Sequence, residues 1–264
     1  MDIVDHRLVG ALRVDLVDRA HAGAEPDGDA VFQTSTIEAL LDGAYEGDLT
    51  VGELLAHGDL GVGTVDHLDG ELVVIDGEAL VARADGTLEP VPDAVGTPFA
   101  VVCRFRPGAA VALGPCADLA ALTDAIDAAL PGGATVAAVR VDAHFERVVV
   151  RSVARQSPPY PPLREVVAHQ RERVVTDVPG SLVGFRFPDV TGGLEVPGWH
   201  LHAVDDARTV GGHLVDVALA GAALRFEVTD DLHVEVPAAV GTVALDAPDR
   251  RGEIAAVEGR RSSG

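Results

Sequence analysis

Residues 69–86 read Asp-Gly-Glu-Leu-Val-Val-Ile-Asp-Gly-Glu-Ala-Leu-Val-Ala-Arg-Ala-Asp-Gly, and this stretch indicates the fold most clearly. Asp-Gly occurs three times in it, and runs of mostly apolar residues separate the pairs. Asp-Gly between apolar runs favours the tight turns that join antiparallel strands. We therefore predict a hairpin meander with strands at residues 61–65, 71–75 and 79–84.

Strand patterns also dominate the rest of the chain. Further strands are predicted at residues 31–34, 98–106, 135–142, 147–154, 182–187, 200–204, 213–219, 223–229 and 232–236. Capping boxes, in which Glu follows a Ser or Thr by three residues, predict short helices beginning at Ser35 and Thr50. The best helical pattern covers residues 117–130, where apolar residues recur on one face. These elements predict an α+β fold dominated by antiparallel strands.

The composition of the chain suggests three segments. Residues 1–29 are acidic and contain several Gly and Ala residues, with Pro26 interrupting any helix, so we expect a flexible N-terminal arm. Residues 157–162, Ser-Pro-Pro-Tyr-Pro-Pro, form a stiff connector and the one candidate boundary. We expect an N-terminal α+β lobe at residues 30–157 and a β-rich C-terminal lobe with a flexible tail at residues 158–264, which together make one functional unit.

The charge balance excludes some classes of partner. The chain has 42 acidic residues, its 20 basic residues are all Arg, and its net charge is −22. Such a surface repels nucleic acid and anionic lipid, so we expect neither as a partner. Two origins of this composition are open: a salt-loving organism, which the size of the charge favours, or a GC-rich genome.

Neither a membrane span nor a secretion signal is indicated. No stretch approaches the roughly 18 uninterrupted apolar residues of a transmembrane helix. The first residues lack the basic and apolar segments of a signal peptide. Two cysteines, Cys103 and Cys116, are too few for a disulfide framework. We therefore expect a cytoplasmic protein.

Three histidines form a candidate metal site. Residues 198–202 read Gly-Trp-His-Leu-His. Because side chains alternate along a strand, His200 and His202 would share one face and could bind one ion. His213, on the next predicted strand, would add a third ligand and leave a fourth position open, which is typical of a catalytic zinc site. The alternative is a pair of surface histidines on an edge strand.

Motifs in both halves of the chain resemble those of the α-acetolactate decarboxylase family. In the N-terminal half they are Phe-Gln-Thr-Ser-Thr-Ile from residue 32, Leu-Leu-Asp-Gly-Ala-Tyr-Glu-Gly-Asp from residue 40, Gly-Asp-Leu-Gly-Val-Gly-Thr from residue 58 and Leu-Asp-Gly-Glu-Leu from residue 68. In the C-terminal half they are Gly-Trp-His-Leu-His from residue 198, Gly-Gly-His-Leu-Val-Asp from residue 211 and Val-Glu-Gly from residue 257. The resemblance covers residues 31–259 with little insertion.

This resemblance implies a zinc-dependent lyase that converts (S)-2-acetolactate to (R)-acetoin and carbon dioxide. It also implies a homodimer, and a fold of two closely packed, mainly antiparallel β-sheet lobes with a few helices. The zinc ligands of the family are matched by His200, His202 and His213. Its other active-site positions are matched by Thr64, Glu71, Arg151 and Glu258.

The chemistry of the implied reaction suits these residue types. Loss of carbon dioxide leaves an enediolate, which a zinc ion chelated by the ketone and hydroxyl oxygens of the substrate would stabilise before stereoselective protonation. Arg151 could hold the substrate carboxylate, and the resemblance implies that it helps to deliver the proton. With the family pattern, Glu71 is assigned to proton handling or to orienting the hydroxyl, Glu258 to a position beside the zinc, and Thr64 to the substrate.

Other interpretations of these residues stay open at this point. Without the resemblance, Arg151 would be a surface ion-pair residue, Glu71 and Glu258 solvated carboxylates, and Thr64 an ordinary strand residue. The three histidines also fit another metalloenzyme, such as a cupin-like isomerase or oxygenase, or a non-catalytic module whose metal only locks strands together. The metal content of the purified protein distinguishes the first alternative, which would bind iron or manganese readily. Removal of the metal distinguishes the second, because it would unfold a non-catalytic module that has no activity to lose.

Overall fold

The computed structural model describes residues 4–9, 12–19, 30–132, 135–191, 193–237 and 250–257. In this part of the chain strands are much more extensive than helices, and most of them form two large sheets. The predicted α+β class, with mainly antiparallel sheets and a few helices, is confirmed.

The first sheet has nine strands. In spatial order they are β1 (Val4–Val9), β2 (Leu12–Asp18), β16 (Asp231–Val236), β3 (Val31–Thr34), β10 (Phe99–Cys103), β5 (Leu60–Thr64), β6 (Glu71–Ile75), β7 (Glu78–Ala82) and β8 (Leu88–Pro90). Neighbours in this sheet are antiparallel except at β16, which runs parallel to both β2 and β3. The sheet therefore joins segments from both ends of the described chain.

The meander predicted around the Asp-Gly pairs is formed by β5, β6 and β7. Asp76 and Gly77 join β6 to β7 with φ angles of 54° and 76°, and Ile75 pairs with Glu78 across the turn. Positive φ at both central residues gives the turn whose twist matches that of the two strands. The turn thus fixes the register of the strand that begins at Glu71.

The second sheet has five strands. In spatial order they are β11 (Val111–Leu113), β15 (Gly211–Thr229), β12 (Val136–Ser152), β13 (Arg171–Phe187) and β14 (Gly198–Asp205). The last of these, β14, also pairs with the start of β15, so four strands close on one another. A separate two-stranded pair consists of β4 (Leu49–Thr50) and β9 (Gly96–Thr97).

Three of these strands are much longer than the sequence predicted: β13 extends far beyond the predicted 182–187, and β12 and β15 each contain two predicted strands. The predicted strands at 135–142 and 147–154 belong to β12, and those at 213–219 and 223–229 belong to β15. The β12–β15 pairing shifts register between residues 143 and 147, which marks irregularities of the β-bulge type. A bulge interrupts the alternation of apolar and polar residues while the backbone continues, and for this reason the pattern suggested separate strands.

Two strands lie within residues 1–29, the segment expected to be a flexible arm. In the part of that segment that the structure describes, β1 and β2 form a hairpin, and β2 continues the first sheet through β16. Leu12 and Val14 are buried in the main core. The partner strand lies more than 200 positions away in the sequence, so no local pattern could reveal the pairing.

The boundary expected at residue 157 does not separate the two sheets. The strand before it, β12, pairs with β13 and β15, which follow it, and β16 returns to the first sheet. The lobes are therefore defined by the sheets and not by the two halves of the sequence.

Five α-helices accompany the sheets in the described residues. They are α1 (Ile37–Leu41), α2 (Val51–His57), α3 (Leu119–Ala129), α4 (Leu163–Val167) and α5 (Arg251–Val257). Thr50 and Glu53 form the capping box predicted for α2. The cap predicted for α1 at Ser35 is wrong, because Ser35 has a left-handed φ of 66° and Thr36 accepts the hydrogen bond from the Ala39 amide.

The main core lies between the two sheets. It combines Val62 and Val101 of the first sheet with Val183 and Phe185 of the second, and α1, α4 and α5 contribute to it. A second cluster packs the other face of the first sheet against α2, and a third packs the second sheet against α3. Among the described helices, none has the length and apolar character needed to cross a membrane.

Candidate metal centre and active-site pocket

The three predicted metal ligands lie together on the second sheet. His200 and His202 are two residues apart on β14, so their side chains share a face, and His202 pairs with His213 of β15 across the closing edge. One possible ligand atom from each of the three side chains lies within 4.8 Å of the others, and all three are buried. The alternative of solvated surface histidines is therefore excluded.

Hydrogen bonding orients the central imidazole. Nδ1 of His202 lies 2.8 Å from the carbonyl oxygen of Leu72, so Nδ1–H donates to that oxygen and Nε2 keeps its lone pair. Burial lowers the pKa of His202 well below its usual value, and the neighbouring His200 lowers it further. A neutral imidazole with a free nitrogen and a backbone partner on the other nitrogen is the form that binds metal ions.

The spacing of the imidazole nitrogens also suits one ion. Nε2 of His200 lies 3.2 Å from Nε2 of His202. Two nitrogens bound to one tetrahedral zinc ion at the usual bond length would lie roughly 3.3 Å apart. Nitrogen donors on three side chains, with no carboxylate or thiolate among them, match the donor set of a catalytic zinc site. The residues present therefore fit a zinc ion.

Arg151 lies on β12, the strand that neighbours β15 in the second sheet. It pairs with His213 in the β12–β15 register and is only 4% exposed. Its Nη2 donates to the carbonyl oxygen of Val257 at 3.0 Å, and its Nη1 lies 3.7 Å from Oε1 of Glu71. Its burial excludes a surface ion pair. The guanidinium is held beside Val257 and Glu71.

Glu71 and Thr64 reach the site from the first sheet. They face each other across the β5–β6 pair, and both are buried. Oε2 of Glu71 lies 3.7 Å from Nε2 of His202, so its carboxylate stands between the histidines and Arg151. The hydroxyl of Thr64 donates to the carbonyl oxygen of Gly70 at 2.7 Å. Glu71 is therefore not a solvated strand end.

A cavity of about 50 Å³ brings these side chains to one space. His200, His213, Arg151, Glu71 and Thr64 line one part of it. The rest of the lining is made by Ile37, Leu40, Gly63, Leu68, Phe99, Val153, Leu163, Val167 and Val257. The pocket thus has a polar side facing the histidines and an apolar side made largely by short helices. Glu258, which directly follows Val257, lies outside the described residues.

Several pocket residues were not found from the sequence. The apolar faces of α1 and α4 gave ordinary amphipathic patterns, and nothing in them pointed to a pocket. The carbonyl of Leu72 has no signature in the sequence, because a backbone atom carries no information about its residue type. These contributions depend on how the two sheets pack against each other.

The family model described as Alpha-acetolactate decarboxylase matches residues 31–241 of the chain. The chain belongs to the alpha-acetolactate decarboxylase family. As a member of this family it is an enzyme of the carboxy-lyase class.

Relatives from distant organisms agree with this membership. An alpha-acetolactate decarboxylase of Methylococcus capsulatus is 45% identical over 207 residues, which cover 78% of this chain and 80% of the relative. One from Methanosarcina mazei is 40% identical over 210 residues, covering 80% and 73%. The crystal structure of alpha-acetolactate decarboxylase from Bacillus subtilis strain 168 superposes with a TM-score of 0.82 at 34% identity, covering 87% of this chain and 99% of that one. The family resemblance inferred from the sequence motifs is confirmed.

Proposed function

We propose that this protein is a zinc-dependent enzyme that converts (S)-2-acetolactate to (R)-acetoin and carbon dioxide. One observation carries the proposal: two imidazoles of a buried three-histidine cluster, a buried guanidinium and a buried carboxylate line one small pocket. This combination suits a small, anionic, oxygen-rich substrate. The relatives named as alpha-acetolactate decarboxylases support the same substrate.

In this proposal His200, His202 and His213 hold the zinc ion. When bound, zinc would supply Lewis-acid stabilisation for the negative charge that develops on the ketone oxygen of the substrate. The protein contributes fixed ligand positions, because His202 is locked by its bond to the Leu72 carbonyl.

Arg151 is proposed to bind the substrate carboxylate. Its guanidinium is held by the Val257 carbonyl and lies near Glu71, so it is already oriented before substrate arrives. When the bond between C2 and the carboxylate carbon breaks, its electron pair moves towards the ketone and carbon dioxide leaves the guanidinium. Apolar residues beside Arg151 exclude water from this step.

The second half of the reaction needs a proton on one face of C2. We assign its delivery to Arg151, as the family resemblance implies, and the exchange of the hydroxyl proton to Glu71, whose carboxylate lies 3.7 Å from both Arg151 and His202. The hydroxyl of Thr64 already donates a hydrogen bond to the carbonyl oxygen of Gly70, so it would accept a hydrogen bond from the substrate. Glu258 keeps its proposed place beside the zinc on the strength of the Val-Glu-Gly motif alone.

We further propose a cytoplasmic homodimer adapted to high salt, with a small molecule as its partner and neither nucleic acid nor a membrane. The net charge of −22 and the family resemblance support this. Sedimentation in molar salt tests the assembly, because a dimer has twice the 27.3 kDa mass of one chain. A single species at the monomer mass would refute it.

The enzymatic proposal is tested by incubating racemic 2-acetolactate with the protein in molar salt. We expect zinc-loaded protein to form one acetoin enantiomer and to consume half of the racemate at the enzymatic rate. Chelator-stripped protein and His200→Ala should form acetoin only at the rate of the buffer. Folded, zinc-loaded protein that forms no acetoin would refute the proposal, and activity with iron but not zinc would favour the other metalloenzyme class.

A further inference from the structure

The loop between β5 and β6 has an unusual backbone. It covers residues 65–70 and connects Thr64 to Glu71, which both line the pocket. Within it, His67 and Leu68 have φ angles of 64° and 53°. Both residues carry a Cβ atom, and two consecutive left-handed residues of this kind persist only where surrounding contacts hold them.

The contacts that hold this loop converge on His67. Its amide donates to the carbonyl of Tyr45 at 2.6 Å, and its carbonyl accepts from the amide of Gln156 at 2.7 Å. Its Nδ1 lies 2.5 Å from the hydroxyl oxygen of Tyr160, and that hydroxyl donates to Oε1 of Glu46 at 2.7 Å. The single hydroxyl hydrogen of Tyr160 is used in the hydrogen bond to Glu46. The hydrogen bond between His67 and Tyr160 must therefore be donated by Nδ1–H of His67 and accepted by the Tyr160 oxygen.

The tyrosine keeps its proton over the working range of pH. Burial and the hydrogen bond to Glu46 together raise the pKa of Tyr160 to about 12. The chain of hydrogen bonds from His67 through Tyr160 to Glu46 is therefore intact at neutral pH.

This chain connects two walls of the pocket. Leu68, the next residue after His67, is buried and lines the cavity. Tyr160 lies in the proline-rich connector three residues before Leu163, which lines the cavity from α4. The hydroxyl of Tyr45 also donates to the Pro161 carbonyl at 2.8 Å. Two side chains, those of His67 and Tyr45, therefore form hydrogen bonds with the connector.

We propose that His67 and Tyr160 are positioning residues, whose hydrogen bond ties the Leu68 wall of the pocket to the Leu163 wall and keeps the pocket closed around its substrate. This bond is called the tether below. Neither residue lines the pocket, so the tether acts through Leu68 and Leu163. The kinetic part of the test rests on the proposed function, and the hydrogen-exchange part does not.

The test uses two single variants, their double variant and a control, all in the full-length zinc-loaded protein. Tyr160→Phe removes one hydroxyl and keeps the ring that packs on Tyr45 at a centroid distance of 5.2 Å. His67→Gly removes the tether while allowing the left-handed backbone without steric cost. His144→Ala is the matched control, because His144 is an exposed histidine paired with Asp177, on β12 and outside the pocket lining.

Amide hydrogen exchange, read by mass spectrometry, is the first measurement. With the tether absent, exchange in residues 65–70 and 156–167 should become about fivefold to tenfold faster, as expected for the loss of one hydrogen bond. Exchange in α3 should not change. The double variant should exchange no faster than the faster of the two single variants, because either change already removes the bond between His67 and Tyr160. His144→Ala should match the wild type.

Kinetics with 2-acetolactate is the second measurement. We expect the KM to rise about fivefold to tenfold in both single variants, with a smaller change in kcat and lower enantiomeric purity of the acetoin. The inference is overturned if Tyr160→Phe leaves exchange in both segments unchanged, or if His67→Gly matches the wild type, which would mean that only backbone conformation matters at that position. If wild-type protein makes no acetoin, the proposed function fails, and the exchange result still decides whether the tether exists.

Discussion

Replacing Arg151 by Met tests how the site holds an anionic substrate. The guanidinium of Arg151 is buried, with Nη2 bonded to the Val257 carbonyl and Nη1 at 3.7 Å from Glu71. Met has a similar length and fills most of the same volume, so the change removes the charge and the N–H donors and little else. The expected defects are therefore in the recognition of the substrate carboxylate and in the proposed delivery of the proton, and binding of an unreactive carboxylate isolates the first.

The size of the defect follows from the lost hydrogen bonds. A hydrogen bond to a charged group contributes about 1.5–3 kcal/mol, so the loss of a guanidinium–carboxylate contact should cost about 3 kcal/mol. Since 1.4 kcal/mol is a factor of ten, the loss of this contact alone should lower kcat/KM by roughly 100-fold, and the loss of proton delivery adds to that fall. Arg151→Lys keeps the charge and loses the planar arrangement of donors, so its kcat/KM should fall by about tenfold.

Competitive inhibition separates this effect from general damage to the pocket. 2-Hydroxy-2-methylpropanoate carries the carboxylate and hydroxyl of the substrate but has no ketone and cannot decarboxylate. Acetoin has the hydroxyl and ketone and no carboxylate. In Arg151→Met the inhibition constant of the carboxylate should rise roughly 100-fold, and that of acetoin should stay within about threefold.

Arg147→Met is the matched control for this experiment. Arg147 lies on the same strand, pairs with Asp216 and does not line the pocket. Its substitution should leave both inhibition constants unchanged. Equal weakening of both inhibitors in Arg151→Met, or no weakening of either, would refute the assignment of Arg151 to the substrate carboxylate.

Three further predictions concern stability. At zinc concentrations 1,000-fold above its Kd, zinc should stabilise the wild type by about 4 kcal/mol and raise its Tm by about 8–16 °C, with no such rise in His213→Ala by scanning calorimetry. Thr50→Ala should lower the free energy of unfolding by about 1 kcal/mol in urea and leave kcat/KM unchanged, and Thr50→Ser should behave as wild type. Burial alone would raise the pKa of Asp142, but hydrogen bonds from Arg140 and Ser181 lower it, so its contribution to stability is present above the unfolded value of about 3.9 and is lost as pH falls below it. Asp142→Asn should therefore flatten the fall of the urea midpoint below about pH 4.

Each of these stability predictions has an outcome that contradicts it. An equal zinc-dependent rise in Tm for His213→Ala would place the metal elsewhere. A change in kcat/KM for Thr50→Ala would mean that α2 affects the pocket from the opposite face of the first sheet. An unchanged acid dependence in Asp142→Asn would mean that other carboxylates govern acid unfolding.

Local sequence patterns predicted those parts of the fold that depend on neighbouring residues. The turn at Asp76 and Gly77 needs positive φ at two positions, and the residue types report that need directly. The capping box of Thr50 and Glu53 is likewise complete within four residues.

Pairings between distant segments could not be predicted in this way. The alternation of residues in β2 is ordinary, and its partner β16 lies near the other end of the described chain, so no local pattern predicts their pairing. The sequence predicts β12 and β15 as two strands each, because residues at their irregularities no longer alternate between two faces. Partner choice and strand continuity depend on packing that a single sequence does not display.

The candidate site likewise combines residues that local spacing predicts with residues that only the packing of distant segments brings together. The spacing of His200 and His202 was sufficient to place two ligands on one face of β14, and the pairing with a second strand, β15, brings His213 beside them. Glu71 and Thr64 lie on the other sheet, and only the family motifs connected them with the histidines before the structure was known. The packing of the two sheets explains that connection, since it brings Glu71 within 3.7 Å of His202.

The central claim is that one zinc ion, held by three histidines, makes this pocket catalytic. It is tested most directly by adding zinc stepwise to stripped protein while acetoin formation and bound zinc are measured on the same samples. The account predicts that activity rises in proportion to bound zinc and stops rising at one ion per chain. Full activity in stripped protein, or one bound zinc per chain without any acetoin, would contradict it.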